Sequence, residues 1–361
     1  MTTAATETAH IPVIDLSAPG KSEQDIAKEL CEAAIEHGFI YIRSSGVDVS
    51  LEAVDRAFQL SKELFGKTSA EEKERCKILK NNRGWSGIRS ETLDPKNQKV
   101  PSRAFNFGEF INGKAQQVLP DTISPHEDEI HNFFQSCDAL ARRILYLLGI
   151  GLEVNPPDFF ASAHLREKGH SGTTLRFLHY PSLQGLDISA DDSIRAGAHS
   201  DYGSLTLLFR LPKQAGLQIL PHSSSPWLPV PVQPHGTLSD PSPPILVNIG
   251  DLLSYWTDGL LRSTMHRVAL PYSSSKEEKN PVGVPEGEGF EGDRYSIAFF
   301  CHPVGTARLE RVPSEVVRRR RREVEVGDGD GEGEEGERRV VTADEHLQMR
   351  LRASYLDLYK D

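Results

Sequence analysis

Two residues in the middle of the chain have the types and the spacing of metal ligands. His199 and Asp201 stand two positions apart, and an apolar run of β type, 205–209, follows them directly. In an extended strand, residues i and i+2 point to the same face. The sequence therefore predicts an imidazole and a carboxylate side by side at one strand end, which would supply two ligands of a metal site.

A second His-x-Asp pair, His126 and Asp128, occurs in a different context. Ser124, Pro125 and Glu127 have the types and positions of an N-cap, a first-turn proline and a capping-box glutamate at the start of an amphipathic helix. Helical neighbours two apart point in roughly opposite directions, so this pair cannot easily chelate one ion. We interpret it as a solvated first helical turn.

A third candidate ligand lies in a later segment. The apolar run 245–253 predicts a buried strand, and a second β-type run, 263–270, follows a glycine-containing turn and contains His266. A lone histidine in such a run is more often a core or edge residue than a ligand. Two histidines and one carboxylate, however, form a ligand face that holds Fe(II) and leaves adjacent positions open.

A fourth element, 293–300, predicts a strand that carries Arg294 and Ser296 on one face. A guanidinium fork beside a hydroxyl suits a carboxylate, which arginine binds through two parallel hydrogen bonds. The alternative is an arginine on the surface of an edge strand.

The order His199-x-Asp201, His266, Arg294-x-Ser296 resembles the iron(II)- and 2-oxoglutarate-dependent dioxygenases, in the branch named for isopenicillin N synthase. The likeness covers residues 10 to 360 apart from two inserts, and it includes the segments 11–16, 38–42, 178–181, 248–251 and 299–303. The resemblance implies a mainly β fold with flanking helices, a double-stranded β-helix or jelly-roll barrel.

The resemblance also implies roles for individual residues. The implied ligands of Fe(II) are His199, Asp201 and His266. The implied contacts of the distal carboxylate of 2-oxoglutarate, the co-substrate, are Arg294, Ser296 and Tyr180. With O2, such an enzyme oxidises, most commonly hydroxylates, a small organic molecule and forms succinate and CO2. Ascorbate serves as a reductant in part of the family.

Tyr180 lies in a variant of a family motif, residues 178–181. The usual plant form is Asn-Tyr-Tyr-Pro, and here Leu178 and His179 replace the first two residues, so only the role of Tyr180 is carried over. This variant and the charged inserts resemble fungal members more than plant members. That likeness favours secondary metabolism or nucleobase salvage.

Two other functions stay open at this point. A minority of the same branch uses no 2-oxoglutarate and takes its electrons from the substrate or from ascorbate. In a different class, the barrel would be a non-catalytic module that binds a small ligand.

The composition of the 361-residue chain excludes several classes of protein. A net charge of −11 argues against a nucleic-acid partner. The cysteines at 31, 76, 137 and 301 form no CxxC pair or cluster, which indicates a reducing compartment. The chain contains no run of about 18 apolar residues, which is the length that a membrane-spanning helix requires. We expect a soluble, cytoplasmic enzyme that binds a small molecule and, as is usual in the family, is a monomer.

The pattern along the chain divides it into five parts. These are a flexible N-terminus (1–10), an N-terminal α/β region (11–150), the dioxygenase barrel (171–304) with a loop insert at 273–292, a charged low-complexity insert (315–340) and a C-terminal helix (341–361). Within the α/β region, helices are predicted at 22–37, 51–65 and 124–148. The glycine- and aromatic-rich stretch 81–112 could line a pocket or cover the barrel.

The barrel is predicted from short apolar runs separated by glycine, proline and serine, the pattern of an antiparallel β architecture. The predicted strands are 174–180, 204–209, 217–220, 227–231, 245–249, 253–255, 264–270 and 295–300. About eight strands, with ligands on two of them, fit a jelly-roll barrel whose site lies in its mouth.

Overall fold

A computed structural model describes residues 7–87, 102–182, 194–221, 225–270, 292–320 and 340–354. Most of the two predicted inserts, 273–292 and 315–340, lies outside these residues, as does the end of the predicted C-terminal helix. The division of the chain into five parts stays a prediction.

The described residues form helices, two main β-sheets and a separate two-stranded sheet, Phe110–Ile111 with Lys114–Ala115. The helices are α1 (Glu23–Glu36), α2 (Leu51–Lys67), α3 (Ala70–Arg75), α4 (Glu127–Gly151), α5 (Phe159–Ser162), α6 (Asp251–Trp256) and α7 (Ala343–Ser354). The strands are β1 (Val13–Ile14), β2 (Phe39–Ile42), β3 (Gly84–Ser86), β4 (Arg103–Phe107), β5 (Phe110–Ile111), β6 (Lys114–Ala115), β7 (Thr174–Tyr180), β8 (Ile194–His199), β9 (Leu205–Arg210), β10 (Leu217–Ile219), β11 (Leu228–Pro229), β12 (Ile245–Ile249), β13 (His266–Ala269) and β14 (Arg294–Cys301).

The two sheets form the jelly-roll architecture that was predicted. The larger has eight strands in the order β1-β2-β12-β9-β14-β7-β4-β3, and the smaller has four in the order β11-β10-β13-β8. Every pair in these sheets is antiparallel except β1 with β2. The fold is mainly β with flanking helices, and the strand order requires long connections between strands that are distant in sequence.

Side-chain alternation along β14 separates the core from the barrel interior. Ile297 and Phe299 are fully buried in the large hydrophobic core beneath the helices, where Phe299 packs edge-on against Phe134 of α4. Ser296 and Ala298, one position out of phase, line the cavity inside the barrel. Because strand side chains alternate between faces, one strand contributes both to the core and to the cavity.

Two helices of the N-terminal region begin at serine side-chain caps. Ser22 forms a capping box with Asp25 at the start of α1, and the Ser50 side chain accepts the Ala53 N–H at the start of α2. Gly38, with a φ of +68°, follows α1 and reverses the chain into β2. Both helices then bury their apolar faces in the core.

Two local predictions are wrong. Residues 253–255 belong to helix α6 and not to a strand, because a short buried apolar run has no periodicity that separates the two. The predicted capping box at the start of α4 is absent: a 3-10 turn, Ser124–His126, precedes the helix, and neither start has a side-chain cap. The Glu127 carboxylate instead accepts hydrogen bonds from Ala115 N at 2.7 Å and Lys114 Nζ at 2.8 Å.

The other seven predicted strands are confirmed as β7 and β9 to β14. Among the described residues, no helix has the length and apolar character that crossing a membrane requires.

Replacing Gly38 with alanine is expected to destabilise the fold more than the same change at Gly20. Both glycines have left-handed φ values, +68° and +80°, so both variants carry backbone strain. An added Cβ at Gly38 would also lie 2.2 Å from the Arg262 carbonyl oxygen, whereas nothing lies within 4 Å of one at Gly20. Urea unfolding should show a free energy of unfolding about 2 kcal/mol lower in Gly38→Ala than in Gly20→Ala. Equal losses would contradict the steric argument.

Candidate metal and co-substrate site

Three predicted ligands meet where the small sheet ends. His199 is the last residue of β8 and His266 the first of β13, and antiparallel pairing places them opposite each other. Asp201 lies in the turn after β8, so the prediction that it shares a strand with His199 is wrong. Its Oδ1 is nevertheless 3.8 Å from His199 Nε2 and 3.6 Å from His266 Nε2. One ligand atom of each residue lies within 4.8 Å of the other two.

Hydrogen bonds orient all three side chains toward a common point. His199 Nδ1 lies 2.8 Å from the Gly197 carbonyl oxygen and His266 Nδ1 3.2 Å from that of Thr264. Each Nδ1–H therefore donates to the backbone, which leaves the Nε2 lone pair of each ring directed at the cluster. Two imidazole nitrogens and a carboxylate oxygen are thus presented together.

Asp201 is held from the opposite side of its carboxylate. Its Oδ2 accepts hydrogen bonds from Thr206 Oγ1 at 2.6 Å and from Asn248 Nδ2 at 2.8 Å. The two donors use Oδ2, so Oδ1 is the oxygen that faces the histidines. Sequence reasoning assigned no role to Thr206 or Asn248, although Asn248 lies in one of the family-like segments.

The electrostatics of the cluster suit metal binding. Burial lowers the pKa of His199 to about 4, and the electrostatic interaction with the neighbouring His266 acts in the same direction. Burial raises the pKa of Asp201, but the nearby imidazoles and its two hydrogen bonds outweigh burial and leave it below its usual value. At neutral pH, His199 is neutral and Asp201 is ionised, which are the forms that bind metals.

The turn that carries Asp201 is fastened by the N-terminus of α6. The backbone N–H of Asp251 donates to the Asp201 carbonyl at 2.7 Å, and that of Leu252 donates to the Gly203 carbonyl at 3.1 Å. The first N–H groups of a helix have no partners within the helix. Here they bind the carbonyls of the turn and hold it against the barrel.

The predicted co-substrate residues lie together on β7 and β14. Strand pairing places Arg294 opposite Tyr180, and the guanidinium lies over the tyrosine ring at 5.0 Å from its centroid. Arg294 Nη1 lies 3.4 Å from Ser296 Oγ. All three side chains line a cavity of about 300 Å³ that also contains the three-ligand cluster.

Arg294 is a buried cation. Only 1% of its surface is exposed, and burial lowers the pKa of its guanidinium. Within the described part of the chain, no carboxylate pairs with it, and its Nε donates to the Gln214 carbonyl oxygen at 3.3 Å. A buried charge of this kind requires a charged partner. The cavity thus presents metal ligands and a separate anchor for an anion.

Other predicted elements fall at the edge of the cavity or away from it. In the glycine- and aromatic-rich stretch 81–112, residues 81–83 line the cavity, and β4 pairs with β7. Residues 88–101 of this stretch lie outside the described residues. The second His-x-Asp pair forms no metal-ligand cluster among the described residues, as predicted: His126 Nδ1 lies 2.7 Å from Glu129 Oε1, and the Asp128 side chain is 86% exposed.

Comparison with known proteins identifies two regions of the chain. A sequence profile described as the N-terminal region of "non-haem dioxygenase in morphine synthesis" matches residues 11–127. A second, the 2OG-Fe(II) oxygenase superfamily, matches residues 173–303, which include all six predicted site residues.

Individual relatives agree with these profiles. The UPF0676 protein C1494.01 of Schizosaccharomyces pombe is 36% identical over 268 residues, 72% of this chain and 77% of the relative. The 2-oxoglutarate-dependent dioxygenase htyE of Aspergillus rugulosus is 28% identical over 312 residues, 82% of this chain and 87% of the relative. Among solved structures, a full-length Neurospora crassa protein in complex with alpha-KG and 5-formyluracil has a TM-score of 0.69 and 25% sequence identity to this chain. The superposition covers 95% of this chain and 96% of the Neurospora protein.

A buried histidine near the site leads to a prediction about pH. His164 Nδ1 lies 2.6 Å from the Phe160 carbonyl oxygen, and His164 Nε2 lies 2.8 Å from Ser204 Oγ, three residues after Asp201. Burial lowers the pKa of His164 to about 4. The folded protein therefore keeps this ring neutral under conditions in which the unfolded chain binds a proton.

In the metal-free protein, the free energy of unfolding is expected to fall as the pH drops from about 6.5 to about 4. Each proton that only the unfolded chain binds favours unfolding, so stability is present above the unfolded pKa and is lost below it. Urea unfolding of His164→Asn, which keeps a donor for the Phe160 carbonyl, should show a shallower pH dependence. The change His10→Asn, at an exposed position, should leave the pH dependence of the free energy of unfolding as it is in the unmodified protein. Equal slopes in both variants would contradict this prediction.

Proposed function

This chain belongs to the iron(II)- and 2-oxoglutarate-dependent dioxygenase family, and we propose which of its residues perform the chemistry of that family. The proposed Fe(II) ligands are His199, Asp201 and His266. The proposed contacts of 2-oxoglutarate are Arg294, Ser296 and Tyr180. The enzyme is an oxidoreductase that oxidises a small organic molecule and converts 2-oxoglutarate and O2 to succinate and CO2.

The donor set supports the proposed iron site. Two imidazole nitrogens with one carboxylate form the facial triad typical of non-haem Fe(II) oxygenases. Bound iron supplies the oxidative chemistry with O2 that no protein side chain provides. The protein's part is to keep the His199 ring neutral, to direct Asp201 Oδ1 toward the two histidines, and to leave the cavity side of the cluster open to ligands.

The observation that carries the co-substrate assignment is the buried Arg294. A guanidinium with 1% exposure in the same cavity as the metal ligands is suited to the distal carboxylate of a dicarboxylic acid. The Ser296 hydroxyl lies on the same face of β14 as Arg294 and would donate a second hydrogen bond to this carboxylate. Tyr180 lies opposite Arg294 on the paired strand β7. The 2-oxoglutarate would then be oriented by one fixed charge at its distal end.

Two substrate classes have support. The cavity of about 300 Å³ suits a small molecule, and curated relatives include fungal 2-oxoglutarate-dependent dioxygenases, which favours a secondary metabolite. The Neurospora crassa protein was solved with 5-formyluracil and with thymine, which makes a pyrimidine base the second class. Incubation with thymine separates the two classes. Succinate formation that depends on thymine supports a pyrimidine base, and its absence favours a secondary metabolite.

We further propose a cytoplasmic monomer. All four cysteines are free and buried, which agrees with a reducing compartment, and one chain supplies all six proposed site residues. Size-exclusion chromatography with light scattering tests the monomer directly, and a dimer mass would contradict it.

Replacing His199 with alanine is expected to abolish stoichiometric Fe(II) binding and succinate formation, because two ligands do not hold the ion in a site built for three. The change His126→Ala alters the other His-x-Asp pair and should retain both properties. Iron content after anaerobic loading and desalting measures the effect. Full iron content with retained activity in His199→Ala would refute the ligand assignment.

Replacing Arg294 with glutamine is expected to weaken 2-oxoglutarate binding about 100-fold, the effect of removing one partner of a buried charge pair. Anaerobic titration of the Fe(II)-loaded protein, followed through the visible charge-transfer band of a chelated keto acid, measures the affinity. The control is Arg267→Gln on β13, which removes a guanidinium that lies over the Trp227 ring. This variant should bind 2-oxoglutarate with the affinity of the unmodified protein. Iron binding without any band in the unmodified protein would favour the oxidase that uses no 2-oxoglutarate.

A further inference from the structure

The Asp251 carboxylate joins three segments that surround the proposed iron site. Its Oδ1 accepts a hydrogen bond from Ser263 Oγ at 2.6 Å, three residues before His266. Its Oδ2 accepts one from Ser200 Oγ at 3.0 Å, between His199 and Asp201. The same oxygen forms an ion pair with Arg350 of α7. One carboxylate therefore connects both ligand-bearing segments to the C-terminal helix.

One face of α7 forms a wall of the cavity. The residues of α7 that line the cavity are Asp344, Leu347, Gln348 and Leu351. Their spacing of three and four residues places them on one side of the helix. The face is closely packed, because a Cβ added at Gly172 would lie 2.4 Å from Leu347 Cδ2. The wall thus consists of two leucines, an amide and a carboxylate.

The two halves of α7 are attached differently. At its start, Ala343 N donates to the Ala307 carbonyl at 2.9 Å, and Asp344 N donates to the Gly305 carbonyl at 3.0 Å. In its second half, the guanidinium of Arg350 lies over the Tyr202 ring, 5.2 Å from the centroid, and Nη2 lies 3.5 Å from Ser200 Oγ. The first half is fixed by backbone hydrogen bonds, whereas the second half is attached through side chains.

These contacts connect α7 to the metal-ligand turn itself. Ser200 and Tyr202 flank Asp201 in sequence, and Arg350 contacts both of them as well as Asp251. The Arg350 side chain is 42% exposed and that of Asp251 17% exposed, so water and salt screen the ion pair. Such a contact holds a helix in place and still permits it to open.

We propose that Arg350 is a positioning residue: its ion pair with Asp251 closes α7 over the substrate compartment and restrains the turn that carries Asp201. Leu347, Gln348 and Leu351 then determine which substrates fit, because closure places them on the cavity wall. This inference rests on the proposed function, since the compartment is the one next to the proposed iron ligands.

Hydrogen exchange of the metal-free protein tests the closure. Arg350→Gln is expected to raise exchange about five-fold in peptides that cover 346–354 and 200–204, and to leave the α4 peptides unchanged. Arg352→Gln removes the same charge from an exposed position of α7 and should have no such effect. Arg350→Lys, which restores the charge without the planar fork, should recover part of the protection.

Iron release gives a second readout. After loading with Fe(II), transfer of the ion to 2,2′-bipyridine should be about five-fold faster in Arg350→Gln than in Arg352→Gln. Equal exchange and equal release in these two variants would overturn the proposal, and so would faster exchange throughout the fold. The proposed function fails separately, if the unmodified protein shows no charge-transfer band with 2-oxoglutarate.

Discussion

The pairing of β8 with β13 places the two histidines of the site together. Directly opposed residues of an antiparallel pair lie about 5 Å apart, so His199 and His266, far apart in sequence, have ring centroids only 4.3 Å apart. The chain turns immediately after β8, and the N–H groups at the start of α6 bind the carbonyls of that turn. Asp201 is thereby placed beside the rings. A shift of one residue in this register would turn one histidine to the other face of the sheet.

The large sheet keeps its stabilising and its chemical residues on opposite faces. On β14, Phe299 packs under α4 while Ser296 and Arg294 face the cavity. Burial of apolar surface against α1, α2 and α4 supports the fold, so the inner face can carry polar and charged groups. Pocket residues can therefore differ between family members that share this barrel.

Burial of charge shapes the site at both ends. Asp201 is buried with hydrogen bonds from Thr206 and Asn248, which offset the cost of removing its carboxylate from water. Arg294 is buried beside a hydroxyl and a tyrosine ring, and its charge is available to an anion that enters the cavity. Asp251, which is only partly buried, is also held by several partners, because its carboxylate accepts hydrogen bonds from two serine hydroxyls and pairs with Arg350. Contacts within the protein hold each of these groups in place.

The sequence by itself determined the residue types of the site, the faces of its strands and the class of fold. The spacing of Arg294 and Ser296 sufficed because a strand has a fixed period, and seven of eight predicted strands formed for the same local reason. Only the tertiary structure decided that Asp201 lies in a turn, that residues 253–255 are helical, that Thr206 and Asn248 donate to Asp201, and that Arg350 pairs with Asp251. Those outcomes depend on contacts between segments far apart in the chain, and local periodicity carries no information about which distant segments pair.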